Sequence, residues 1–186
     1  TGRQVEAGVR LYMQQHGDTV AGKKIELIVK DDAAVADTTR RIAQELVVNE
    51  KVHILAGFGL TPLALATAPI ATKAKVPMIV TSAATSIITE KSPFIVRTSF
   101  TLPQVTVPVA EWAAQNGIKK VVTLVTDYAP GIDAETTFKK TFTAAGGEIL
   151  AELRVPLKNP DFAPFLQRVA DAKPDAVFVF VPSGVG

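Results

Sequence analysis

A chain of 186 residues that is 47% apolar, with mean hydropathy +0.24, can bury a sizeable core, which excludes intrinsic disorder and leaves room for one α/β domain or parts of two. Its 20 basic and 18 acidic residues are scattered and leave a net charge of only +2, so nucleic acid is excluded as a partner. The absence of cysteine excludes disulfides, thiolate metal sites and a cysteine nucleophile, and no apolar run approaches the roughly 20 residues that span a bilayer.

Val5, Val9, Tyr12 and Met13 recur at helical spacing and predict an amphipathic helix over residues 3–16, ending near Gly17. Residues 24–30 alternate like a strand and run into Asp31 and Asp32, after which Asp37 is the expected cap of a helix bearing Ile42, Leu46 and Val47. The chain is organised around residues 53–86. A strand ends in Gly57-Phe58-Gly59-Leu60-Thr61-Pro62, a helix with Thr61 as expected N-cap and Pro69 as expected kink runs to Ala74, and a strand over 76–80 ends in Thr81-Ser82-Ala83-Ala84-Thr85-Ser86. This pattern is a βαβ unit whose two parallel strands finish on one edge of a sheet, the edge where open α/β sheets bind ligands. Residues 94–97 read as a further short strand.

A helix with Val105, Val109 and Trp112 on one face is expected over 102–116, where Gly117 stops it. A strand over 120–126 then ends in Asp127-Tyr128-Ala129-Pro130-Gly131, and Phe138, Phe142 and Ala145 mark a helix stopped by Gly146 and Gly147. A strand over 148–155, a helix lined by Phe162, Phe165, Leu166 and Val169, and an apolar strand over 176–181 complete the chain. Strands alternating with helices predict a mostly parallel α/β sheet, with a first lobe over 1–102 and the start of a second over 103–186. A chain that opens on a helix and closes on a strand without its crossover reads as a fragment.

The two strand-end turns define the expected site. Both offer hydroxyls and little bulk, so Thr61, Thr85 and nearby backbone N–H groups are expected to hold a small polar or anionic group. Gly57 and Gly59 lack the third glycine of a dinucleotide fingerprint, and no phosphate loop is present, so no nucleotide cofactor is expected. His16 and His53 have no partner at ligand spacing, which leaves no metal site and no catalytic triad. Asp31 and Asp32 are expected to solvate a turn, Arg97 to be solvated or salt-bridged, and Phe138, Phe142, Phe162 and Phe165 to be core. Tyr128 either closes over a ligand or packs its own turn. Phe58, Leu60, Phe100 and Leu102 are the apolar residues expected beside the polar grip.

In order and spacing, Asp31-Asp32, Gly59-Leu60-Thr61, Pro77-Met-Ile with Ser82-Ala83-Ala84-Thr85, Arg97-Thr98 and Asp127-Tyr128-Ala129-Pro130-Gly131 resemble the branched-chain-amino-acid-binding family of periplasmic solute receptors for ABC importers. The resemblance covers essentially the whole chain. It implies a type 1 periplasmic binding protein fold of two Rossmann-like lobes, here without the first strand and part of the second lobe. It further implies a non-enzymatic protein that closes its lobes over a small carboxylate and delivers it to a membrane permease. Transferred to this chain, the ligand contacts are Gly59, Leu60, Thr61, Ala83, Ala84 and Thr85, with Leu102 and, from the second lobe, Tyr128. The amino-acid binders tend to have an aspartate where this chain has Leu102, which points to an aromatic acid such as a benzoate beside a branched-chain amino acid. A ligand-sensing domain of a receptor or transcriptional regulator is the alternative with the same fold.

Overall fold

The computed structural model describes residues 2–182, which fall into two compact units, Thr1–Ser99 and Phe100–Gly186. Phe100, Thr101 and Leu102 thus belong to the second unit, not to the first as expected. The cause is local. Thr101 accepts the Gln104 N–H at 3.4 Å while the Gln104 side chain accepts the Thr101 N–H at 2.7 Å, a reciprocal cap that ties these residues to the helix they open.

In the first unit, α1 (Gly2–His16) leads through a two-residue hairpin, β1 (Thr19–Val20) and β2 (Lys23–Lys24), and an extended stretch to α2 (Ala36–Val48). There follow β3 (Leu55–Gly57), α3 (Thr61–Ala74), β4 (Met78–Val80), a 3₁₀ helix (Ser86–Lys91) and β5 (Ile95–Arg97). The sheet is parallel in the order β3-β4-β5, with Leu55 opposite Met78 and Met78 opposite Ile95. Ala64, Ala68 and Ala71 let α3 approach the strands closely, and they bury Leu55, Met78, Val80, Ile88 and Ile95 with them. The whole of α3 runs through Pro69, which removes the donor that the Leu65 carbonyl would otherwise receive.

Three expectations fail here for physical reasons. Of the strand expected over 24–30, only Lys24 pairs, in the hairpin; among the described residues 25–30 have no ladder neighbour, and alternation alone makes no strand when N–H and C=O groups lack a partner chain. Asp37 does not cap α2. It sits inside the first turn beside Arg40, and Val35 holds the cap position without a side-chain bond. Thr61 is likewise not a cap, because Leu60 occupies that position and the Thr61 hydroxyl is engaged elsewhere.

The second unit contains α4 (Leu102–Gln115), β6 (Lys120–Thr126), α5 (Ala129–Ala144), β7 (Glu148–Val155), α6 (Ala163–Ala172) and β8 (Ala176–Phe180). Its sheet is parallel in the order β7-β6-β8, so β6 is central and buried from Val121 to Thr126. Alternate β6 residues serve two cores. Val121 packs with Ala110, Ala113, Phe138 and Phe142, while Val122 and Leu124 pack with Leu153, Val155, Phe162, Phe165 and Val169. Leu166 stays exposed on α6. The apolar face expected of α4 is also displaced: the helix buries Leu102, Thr106, Ala110 and Ala113 and leaves Val105, Val109 and Trp112 exposed, because the small residues allow the closer helix contact.

Candidate functional site

The turns after β3 and β4 meet at the carboxyl edge of the first sheet. Gly57 has φ +124° and Phe58 φ +68°, two successive left-handed residues that swing the chain from β3 toward α3; a side chain at position 57 would be strained. The Gly57 carbonyl accepts both the Thr81 N–H at 2.8 Å and the Thr81 hydroxyl at 2.9 Å, and the Phe58 carbonyl accepts the Ala83 N–H at 3.0 Å. The two turns are therefore stitched together by backbone before any side chain adds specificity.

Thr61 and Thr85 complete the seam, with their Oγ1 atoms 2.7 Å apart and the residues only 1% and 2% exposed. One hydroxyl donates to the other, so the pair retains one O–H for a further acceptor. Both sites predicted to grip a ligand are thus brought into one place. Of the turn amides, that of Ala83 is committed to Phe58, whereas those of Ala84 and Thr85 meet no protein acceptor among the described residues. The first turn of α3 adds the Thr61 N–H, since Pro62 has none and that of Leu63 donates to the Leu60 carbonyl at 3.2 Å. Gly59 is exposed and Leu60 half-buried beside this cluster of donors. An edge rich in N–H and O–H groups suits a carboxylate, which only accepts.

Arg97, at the end of β5, is expected to be solvated or salt-bridged, and its contacts with the backbone are not foreseen. Its guanidinium reaches into the β4 turn, where Nη1 donates to the carbonyls of Thr85 at 2.7 Å and Ala83 at 3.2 Å, and Nη2 lies 3.5 Å from the Ser86 carbonyl. No sequence pattern announces such a bond, since every residue has a carbonyl.

The expected apolar surround is only partly present. Phe58 packs on the first core rather than standing free, and Leu102 is buried, 2% exposed, in the first turn of α4 in the second unit, where a helix side chain leans back toward its own N-terminus. Phe100 is exposed. In the second unit, Tyr128 is the N-cap residue of α5 and half-buried, and burial pushes its phenol above the ordinary value, so it stays protonated at neutral pH and can donate. Asp31 and Asp32 cap their own turn through the N–H groups of Ala33 and Ala34, and Asp32 also accepts the Thr39 hydroxyl at 2.8 Å. The His16 ring lies against that of Tyr12, tilted by 32°, and His53 is exposed. Among the described residues no group of three His, Cys, Asp or Glu could hold a metal ion. A groove along α3, lined by Leu65, Ala68, Pro69, Thr72, Lys73 and Lys91, contains none of the predicted contacts.

Two parallel α/β units, the first with a donor-rich strand-end turn, define a class of ligand-binding proteins. Residues 1–185 match the periplasmic binding protein family, and the chain belongs to it, with the type 1 fold. The chain is 67% identical to a solute-binding protein of an ABC transporter from Rhodopseudomonas palustris BisB5, solved in complex with 3,4-dihydroxybenzoic acid, at TM-score 0.94 over 98% of this chain and 50% of that one. A second R. palustris solute-binding protein, in complex with 4-hydroxybenzoate, is 48% identical at TM-score 0.95 over the same shares of the two chains. The Leu/Ile/Val-binding protein homolog 6 of Brucella abortus (strain 2308) is 47% identical over 98% of this chain and 47% of its own length. The chain therefore spans about half the length of these relatives.

Proposed function

We propose that this protein is an extracytoplasmic solute-binding protein that captures a small aromatic carboxylate of the hydroxybenzoate class and presents it to the permease of an ABC importer. The observation that supports it most is the Thr61–Thr85 seam, where a spare hydroxyl proton and the free amides of Ala84 and Thr85 converge at a sheet edge. Each hydrogen bond to the charged carboxylate contributes about 1.5 to 3 kcal/mol. Gly59 and Leu60 complete the rim, where a ring is favoured over an ammonium, whose burial without a carboxylate partner costs several kcal/mol. The similarity to two benzoate-binding proteins supports the same class. No bond is made or broken; capture and release are the whole chemistry, and neither a metal nor a nucleotide takes part.

A second reading, a branched-chain amino acid, is favoured by the similarity to the Leu/Ile/Val-binding homolog. Titration calorimetry of the full-length protein with 4-hydroxybenzoate, 3,4-dihydroxybenzoate, leucine and isoleucine separates them. The proposal expects heat from the benzoates; heat from leucine or isoleucine alone establishes the second reading.

A further inference from the structure

We propose that Arg97 is the positioning residue of the carboxylate turn: by holding the carbonyls of the β4 turn on one side, it presents the turn's amides to the ligand on the other. The inference rests on the carboxylate reading above and names the residue that makes the turn selective for an anion. Three observations meet. The guanidinium donates to Ala83 and Thr85 through a single nitrogen and approaches Ser86 with the second. The Ala83 carbonyl belongs to the same peptide unit as the Ala84 N–H, which has no protein acceptor among the described residues. Thr85, whose carbonyl Arg97 holds at 2.7 Å, also bears the hydroxyl that meets Thr61.

A peptide unit is planar, so fixing the direction of the Ala83 oxygen fixes the Ala84 N–H in the opposite direction. Fixing the Thr85 oxygen similarly orients the backbone from which its hydroxyl projects. A cation on the oxygen side also polarises the peptide, strengthening its N–H as a donor in the way that successive hydrogen bonds reinforce one another. In Ser82-Ala83-Ala84 only Ala83 packs into the core, through a single methyl group, so a partner outside the turn that holds its carbonyls adds to its preorganisation. Register places Arg97 where it can do this: it lies opposite Val80, the last residue of β4, and its strand ends beside the turn it holds. Lysine at this position carries its donors on one nitrogen at the end of a flexible stem and lacks the second nitrogen that approaches Ser86, so it fixes the carbonyls less firmly.

The test compares wild type, Arg97→Met and Arg97→Lys in the full-length protein by calorimetry, using 4-hydroxybenzoate against 4-hydroxybenzamide and leucine against leucinamide, with thermal unfolding measured on each variant. The expected result is a loss of about tenfold to a hundredfold in affinity for the bound carboxylate in Arg97→Met, the range for a hydrogen bond to a charged group, with the uncharged amide much less affected. Arg97→Lys should recover part of that loss. A lower unfolding temperature with unchanged carboxylate affinity, or equal weakening of acid and amide, overturns the inference and makes Arg97 a structural brace. Should Arg97→Met fail to fold, the acid-to-amide ratio in Arg97→Lys decides by the same rule. Wild type that binds neither carboxylate overturns the functional reading itself, an outcome distinct from the first two.

Discussion

Replacing Thr85 by valine keeps its shape and removes the hydroxyl, leaving the Thr61 oxygen buried without its partner. An unsatisfied buried hydroxyl costs about 1 to 3 kcal/mol, so either Thr61→Val or Thr85→Val should lower unfolding stability by that amount. The double variant removes both partners and should cost less than the sum of the two. Denaturant titration measures this, and strict additivity would show that the two hydroxyls do not act as a pair. The positions were legible in the sequence because each lies where a short apolar strand stops at small polar residues. Their contact across 24 residues was not, nor was the role of Arg97, since its partners are backbone carbonyls that composition does not reveal. The assignment of Thr61 to a helix cap erred for a related reason: a threonine near a helix start suits a cap by local preference, and the tertiary partner at Thr85 took its hydroxyl instead.

Among the elements, the start of α5 and the beginning of the second sheet make the sharpest predictions. A Cβ at Gly131 would run into the Thr126 carbonyl, so the helix can press onto the end of β6 only with glycine there. Gly131→Ala should therefore cost about 1 to 3 kcal/mol and shift the amide resonances of Tyr128, read by unfolding and by NMR; an unchanged spectrum contradicts the close approach. Glu135, 1% exposed on α5, accepts from Thr123 of β6 and from Arg154 of β7, so it pins the helix to two strands. Removing Arg154 as methionine leaves that carboxylate underpaired and should destabilise by about 1 to 3 kcal/mol, less than for a fully buried pair because Arg154 is partly solvated. At the opposite edge, Asp175 accepts the backbone N–H groups of Lys119 and Lys120 at 2.9 and 2.8 Å, which hold its carboxyl below the ordinary value. Its folded value lies below the unfolded one, so the stability it contributes is present above the unfolded value and is lost as pH falls through the folded one. Asp175→Asn should flatten that acid limb of the pH–stability curve, and an unaltered limb would remove Asp175 from the account.

At the scale of the whole molecule, the alternation of strands and helices was enough to predict parallel pairing, because buried parallel strands are short apolar runs with turn residues after them; the division into two parallel sheets was implied by the family resemblance. What the alternation could not supply was the neighbour of each element. The stretch over 25–30 alternates without pairing, and α4 buries its small residues while Trp112 remains 59% exposed, since close packing between backbones outweighs side-chain hydrophobicity there. Where the carboxylate sits is read most directly from a crystal structure of the full-length protein grown with 4-hydroxybenzoate. One carboxylate oxygen is expected within about 3 Å of a Thr61 or Thr85 hydroxyl and of the Ala84 or Thr85 N–H. A carboxylate pointing away from this turn, with the 4-hydroxyl against Thr61 and Thr85, would contradict it.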